Sequence, residues 1–285
     1  MVIKTKCLFP NIICFLYFVF KLCALKKRNT NKTRKIEYGR RDNVKFNAER
    51  ELLILEALFV GRDGRRDLFL DVGDYSYRFY VPLPTSLPSS FDHENGKIRY
   101  TLRATINAPW LYDIHSIRTI TVLHILDLNM NPTFRMPAAG TKVKRYGAIC
   151  CQTKPIRVTV QLRKSAYVPG EILNFDVIIS NESSKEIDLL RANFIQIIRL
   201  ADNQNVKLLS RYITSVNIPK KVAKRTEERI NNLSLLVPPL CPTTIGLCDI
   251  IEISYQLQFQ FNARSNSMST ELDFIVVICY LVFLL

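Results

Sequence analysis

From Asp74 onward the apolar side chains of this chain recur at every second position. Tyr75, Tyr77, Phe79 and Val81 alternate with Asp74, Ser76, Arg78 and Tyr80. Ile98, Tyr100, Leu102, Ala104 and Ile106 alternate with Lys97, Arg99, Thr101, Arg103 and Thr105. The pattern returns in Ile156, Val158, Val160 and Leu162, in Leu173, Phe175, Val177 and Ile179, and in Ile251, Ile253, Tyr255, Leu257, Phe259 and Phe261. Successive side chains of a strand point to opposite faces, so a period of two marks strands with one buried and one wet face. A helical domain would repeat its apolar residues near every 3.6 positions instead. The expected class is therefore all-β.

Turn chemistry separates these runs. Asp63-Gly64 and Asn95-Gly96 are hairpin dipeptides, and the second directly precedes the Ile98 strand. Pro169-Gly170 suits the centre of a type II turn, because proline presets φ and glycine accepts a positive φ. Asn181 to Ser184 is a polar turn between two apolar runs. Many short antiparallel strands with such turns predict β-sandwiches. Leu128 to Tyr146 is rich in Asn, Pro, Gly and basic residues and divides two strand-rich blocks. Lys220 to Asn232 is charged, with few apolar anchors, and is expected as an exposed connection containing at most a helical turn. Glu49 to Ala57 admits a helical reading.

The net charge of +15 is unevenly placed: residues 1–50 hold 13 Lys and Arg against 3 Asp and Glu. The head is strongly basic and the body only mildly so. Such a head is expected either to remain solvated or to face an anionic membrane surface, with no nucleic acid assigned as partner. Residues 7–25 are apolar and are followed by Lys26, Lys27 and Arg28, with Lys32, Arg34 and Lys35 beyond. The unbroken core, Ile12 to Phe20, is short of the roughly 20 residues a spanning helix needs. It reads as a signal-peptide core or an anchor. Phe274 to Leu285 is a second apolar run, too short to span a bilayer as a helix and as easily a buried strand.

Eight cysteines include no Cys-x-x-Cys pair and no zinc-like His spacing. Most lie in apolar runs and read as buried thiols, which suits a reducing compartment. Asn31, Asn181 and Asn232 head N-glycosylation triplets, which matter only in a secreted chain. No Gly-x-Ser-x-Gly, P-loop, His-Glu-x-x-His or dinucleotide fingerprint occurs. His93 sits in a polar turn beside Asp92 and Glu94, while His115 and His124 lie along strands. Ser89 and Ser90 have no base in local register and are expected to cap a turn. Pro82, Pro84 and Pro88 shape an extended crossover, and Trp110 plugs a strand end. No catalytic, cofactor-binding or metal-binding residue is therefore assigned, and no cofactor is expected.

An ordered set of motifs adds a family resemblance: YRFYVPLPTSLPSSF, GKIRYTLRATINAPW, ITVLHILDLN, AYVPGEILNFDVIISNESS and LVPPLCPTTIGLCDIIEISYQLQF. Over about Ile36 to Val277 the chain resembles arrestin-domain proteins of the α-arrestin type. The resemblance implies two tandem immunoglobulin-like β-sandwiches, the first truncated at its N-terminus. It implies an N-like sandwich at 36–128, a linker at 129–150 and a C-like sandwich at 151–285. Residues 1–35 stand before them as an apolar and basic extension, where the family pattern expects further strands. It also places Glu49 to Ala57 as a strand. By function it implies a non-enzymatic cytoplasmic adaptor in protein transport and endocytosis, associated with endosomal or plasma membrane, whose partners are membrane-protein cargo or trafficking machinery. Many relatives of this type recruit ubiquitin ligases through a PPxY motif. This chain has none; Pro238-Pro239-Leu240-Cys241 lacks the tyrosine. The alternative is a membrane-anchored or secreted β-sandwich binding protein that uses residues 7–25.

Overall fold

The computed structural model describes residues 2–7, 12–13, 15–24, 48–60, 69–70, 73–107, 112, 114–127, 129, 131–145, 154–202, 205–263 and 270–279. Asp63-Gly64, Trp110, Asn31 and the basic cluster from Lys26 to Lys35 lie outside these residues. Contacts divide the chain into two compact units, the first built mainly on Met1–His124 and the second on Ile125–Leu200 and Val206–Leu285. Among the described residues the regular structure is strand, apart from one turn of 3-10 helix at Pro132–Arg135.

Among the described residues the first unit holds nine strands: β1 Val2–Cys7, β2 Ile12–Ile13, β3 Phe15–Ala24, β4 Arg50–Val60, β5 Phe69–Leu70, β6 Gly73–Arg78, β7 Phe91–His93, β8 Gly96–Asn107 and β9 Ile114–Ile120. Its main sheet runs β4-β3-β8-β7, with β9 beside β7 on the same flank of β8, while β1-β6 and β2-β5 form two-stranded pairs. The apolar run expected as a signal or anchor thus contributes an inner strand. Phe20 of β3 is opposite Leu55 of β4 on one side and Leu102 of β8 on the other. Arg50–Val60 is strand, as the family resemblance implies, and not helix. On β8 the expected inward residues Ile98, Tyr100 and Leu102 are buried. The hairpin before β8 forms, with Glu94 and Asn95 at its centre and His93 opposite Gly96. Neither Asn95 nor Gly96 has a positive φ, so the turn differs from the mirror-image type that this dipeptide usually marks.

The second unit is a sandwich of two sheets. One contains β10 Ala138–Lys144, β11 Ile156–Leu162, β13 Ile172–Asn181 and β16 Thr226–Leu236, in that order. The other runs β12 Ala166–Tyr167, β18 Thr270–Ile278, β17 Ile251–Ala263, β14 Ile187–Ala201 and β15 Val206–Asn217. All pairings described are antiparallel except the short β12–β18 contact. The alternating residues named on β11, β13 and β17 are all buried. They form the core that the period of two predicts, each large apolar side chain contributing about 1.5–3 kcal/mol on burial. Gln196 enters this core from β14, where its amide donates to the Tyr255 hydroxyl at 3.0 Å, and that hydroxyl donates to the Cys241 carbonyl at 2.7 Å. A buried polar chain of this kind is tolerated because its members are paired.

Two segments differ from expectation. The region expected as linker contains β10, an edge strand whose Ala138 to Lys144 pair with Leu162 to Ile156. The Lys220 to Asn232 connection is extended: it turns at Arg225, where φ is 59°, and then runs as the edge strand β16. Its charges are met across the surface, with Lys220 Nζ 2.6 Å from Glu228. Where β16 passes β13 the register shifts around Asp176, whose carboxylate accepts the Asn232 amide at 2.7 Å. Gly140 on β10 marks a close approach, because an added Cβ would lie 2.8 Å from the Phe274 ring. Gly140→Ala is expected to cost about 1–3 kcal/mol by overpacking. Chemical denaturation of the two proteins checks this, and equal midpoints would contradict the contact.

The described part of the last apolar run, residues 274–279, enters the sandwich through β18. Val277 and Cys279 donate backbone hydrogen bonds to Ser165 and Tyr167, each at 2.9 Å, and Ile278 donates to the Thr243 hydroxyl at 2.9 Å. Asn181 closes the turn after β13. Its amide donates to the carbonyls of Lys185 at 2.8 Å and Ala223 at 2.9 Å, and its carbonyl accepts from the Ser183 amide and hydroxyl.

Candidate partner-binding surfaces

The side chains that a catalytic reading of the sequence would single out are spread over separate elements. His93 ends β7 and accepts the Asn95 amide at Nδ1, 3.2 Å away. His115 is exposed on β9. His124 donates its backbone amide to Ser89 Oγ at 2.8 Å, and its Nδ1 is buried without a hydrogen-bond partner. Ser90 Oγ accepts the Val122 amide at 2.9 Å, and the Ser90 amide donates to the Val122 carbonyl at 2.8 Å. The two serines therefore fasten the crossover to the segment after β9, a longer-range role than the local cap expected of them. Tyr100 donates to the Pro88 carbonyl in the same place.

Among the described residues no group of three or more His, Cys, Asp or Glu side chains is placed to hold a metal ion. Cys241, Cys248 and Cys279 are free thiols. Burial pushes the Cys279 thiol up to about 12, with Asp127 adding to the effect, so it is not a poised thiolate.

The turn between β12 and β13 is fixed by backbone, carboxylate and lysine contacts. Gly170 has φ of 87°, the left-handed geometry expected of it. Its amide donates to the Val237 carbonyl at 2.8 Å, and Val237 donates to Glu171 at 2.9 Å. One Glu171 oxygen accepts the Val168 amide at 3.1 Å and the other meets Lys164. Lys164 also lies 5.0 Å from the centre of the Tyr167 ring. Tyr167 is buried, its hydroxyl has no hydrogen-bond partner, and burial pushes its phenol up to about 12. These contacts explain the Tyr-x-Pro-Gly-Glu motif as a rigid corner. Gly170→Val is expected to destabilise the protein by about 1 kcal/mol or more, because a branched side chain disfavours positive φ. An unchanged melting temperature would contradict that assignment.

Two exposed features lie along the β8 strand of the first unit. At the β7–β8 hairpin, Asp92 pairs with Arg99 at 2.5 Å and with Lys97 at 3.3 Å. The hydrogen bond from Arg99, followed by that from Lys97, holds its carboxyl below the usual range. Two of the basic side chains on β8 are thus already partnered, and the surface pairs contribute little to stability. On the flank, β9 pairs with β8 alone among the described strands. Six of its seven residues are exposed, including Ile114 at 66% and Ile117 at 57%. Leu123 follows it, also exposed. Sequence periodicity did not single out β9, since Ile114, Ile117 and Ile120 recur at every third position and not every second. A sheet edge of this kind offers backbone groups and apolar side chains to an added strand.

Comparison with known proteins places this geometry. Residues 20–129 match the arrestin (or S-antigen) N-terminal domain, and residues 152–280 match the arrestin (or S-antigen) C-terminal domain. The chain is 28% identical to arrestin domain-containing protein 17 of Caenorhabditis elegans, over 70% of this chain and 48% of that protein. It is 25% identical to human arrestin domain-containing protein 1, over 70% and 46%, and 26% identical to human arrestin domain-containing protein 4, over 68% and 46%. The chain spans about half the length of the curated relatives it matches. Two tandem sandwiches, matched in order along most of the chain by both halves of one fold, make this protein a member of the arrestin-domain family.

Proposed function

We propose that this protein is a non-catalytic adaptor in the transport and endocytosis of membrane proteins, working at the cytoplasmic face of plasma or endosomal membrane. The observation that carries the reading is the exposed edge strand β9 in a chain of this family. An extended segment of a cargo tail would add to that edge through backbone hydrogen bonds, with Ile114 and Ile117 selecting its side chains. The basic residues Lys26, Lys27, Arg28, Lys32, Arg34 and Lys35 support attachment to anionic lipid, each contributing about 1 kcal/mol near such a surface. A ubiquitin-ligase link has no PPxY motif in this chain to carry it. The anchored alternative would require residues 15–24 to leave the pairings that β3 makes with β4 and β8 if they entered lipid as a helix.

The test is an array of synthetic cytosolic tails of transmembrane receptors and transporters, probed with the purified full chain. Expected is saturable binding to a subset of tails, with amide-exchange protection over Ile114–Ile120 and loss of binding in Ile117→Glu. Absence of binding across the array, or protection confined to other strands, would overturn the reading.

A further inference from the structure

Each sheet of the second unit ends in a basic strand on one flank and an acidic strand on the other. β15 carries Lys207 and Arg211 and no acidic residue, whereas β18 carries Glu271 and Asp273 and no basic one. The two strands lie towards opposite sides of one sheet. β15 has only β14 beside it in that sheet among the described strands. β12 takes only Val277 and Ile278 of β18, so Thr270 to Val276 have a ladder on the β17 side alone. In the facing sheet the signs are reversed. β10 carries Lys142 and Lys144 with no acidic residue, and β16 carries Glu227 and Glu228 against Arg229. Gly140 of β10 meets Phe274 of β18, while β15 lies next to β16, so each flank presents two edges.

Charged side chains on an edge strand ordinarily keep other copies away. That protection works where every edge has one sign; edges of opposite sign attract. Lys207, Arg211 and Asp273 take no part in the described ion pairs of the second unit, which join Lys164 to Glu171, Arg199 to Glu252, Lys220 to Glu228 and Arg229 to Glu227. Apolar side chains are exposed along the same edges: Val206, Leu208 and Tyr212 on β15, Ile275 on β18 and Val143 on β10. None of the four strands contains proline, so their backbone donors are intact.

Strand direction fits as well. β14–β17 and β17–β18 are antiparallel, and β15 returns from β14 through 202–205, so β15 and β18 run in opposite senses. β10 and β16 also run in opposite senses, because β10–β11, β11–β13 and β13–β16 are each antiparallel. A second copy displaced sideways along the sheets sets its β18 antiparallel to β15 and its β10 antiparallel to β16. Both seams then join opposite charges. Pairing β15 with β15 would instead bring Lys207 and Arg211 against their own duplicates.

We infer that the second unit binds a second copy of this chain head to tail, β15 on β18 with β16 on β10 beside it. The contact uses different surfaces on the two copies, so it does not close as a two-fold dimer and leaves an edge for the next copy. The inference goes beyond the adaptor reading and does not depend on it.

The experiment is sedimentation velocity of the purified full chain over a concentration series. Expected is a mass that rises past the dimer, with amide-exchange protection gained over Val206–Asn217 and Thr270–Val276. Arg211→Glu and Asp273→Lys should each move association to about tenfold higher concentration or more, since each sets like charges together. Mixed in equal amounts, the two variants should associate as the parent does, because each supplies the charge that the other's altered edge needs. Both altered side chains are exposed, so melting temperatures should stay at the parent value, and thermal scans confirm that each variant is folded. Assembly that stops at a dimer, association unchanged in both variants, or no recovery in the mixture would each overturn the inference. A parent chain that stays monomeric yet binds receptor tails overturns it while leaving the adaptor reading intact.

Discussion

A chain lacking residues 1–35 is expected to lose the fold of its first unit. The deletion removes β3, which is paired along its length with β8 on one side and β4 on the other. β3 and β8 share ten opposed residues, from Phe15 opposite Asn107 to Ala24 opposite Ile98. At a net contribution of about 1 kcal/mol per backbone hydrogen bond, losing such ladders removes on the order of the whole stability of a domain. Hydrogen exchange over Gly96–Asn107 provides the measurement, with protection expected to fall to the level of an unfolded chain. If the truncated protein keeps that protection and differs only in leaving the membrane, residues 7–25 act as an anchor and β3 is not part of the fold.

The second large effect is expected at Asn181. It is 1% exposed, and its side chain makes four hydrogen bonds that bring together the end of β13, the following turn and the Ala223 carbonyl before β16. Asn181→Ala leaves the Ser183 amide and hydroxyl without this acceptor, and the Lys185 carbonyl with the Ser183 hydroxyl 3.3 Å away. The Ala223 carbonyl still accepts from Thr226 Oγ1 at 2.8 Å. Each buried group left unpaired costs about 1–3 kcal/mol, which puts the total near 3 kcal/mol. The melting temperature should fall by roughly 6–12 °C if the unit melts as one domain of this size. Ser183→Ala, which removes one hydroxyl, should cost only about 1 kcal/mol. Equal losses for the two variants would show that the amide of Asn181 is not the joint described.

How far the sequence foretold this structure depends on where each strand sits. β11, β13 and β17 face a core on one side, so hydrophobicity alternates and their inward residues could be named individually. β10 and β16 are edges. Their residues Ala138 to Lys144 and Thr226 to Asn232 gain order from backbone ladders that leave no mark on side-chain pattern, and they read as part of the linker and of the charged connection. The continuous run around β3 is ambiguous for the opposite reason: an inner strand and an anchor core both require uninterrupted apolar residues. Gly170 was legible because its turn demands an unusual backbone geometry that few residues supply. The hairpin before Ile98 was legible in place but not in turn type. The candidate surface was less legible than the core. Exposure of β9 or of the β15 edge is a property of neighbours brought together by folding, and period-two counting assigns neither.

The position of Asn181 also sets folding against a covalent modification. Asn181-Glu182-Ser183 is an acceptor triplet for N-linked sugar, and the nitrogen that would carry the sugar is the one that bridges Lys185 and Ala223. A glycan there would replace a donor hydrogen and force a bulky polar group into a site closed to solvent. Asn232 heads the second described triplet, and its exposed side chain uses its oxygen in the contact with Arg163. Oligosaccharyl transfer and closure of the turn therefore compete for one atom at Asn181, but not at Asn232. In a copy routed through a glycosylating compartment, sugar on Asn232 alone would mean that the turn closed before the transferase arrived, whereas sugar on Asn181 would mark a chain caught before it folded.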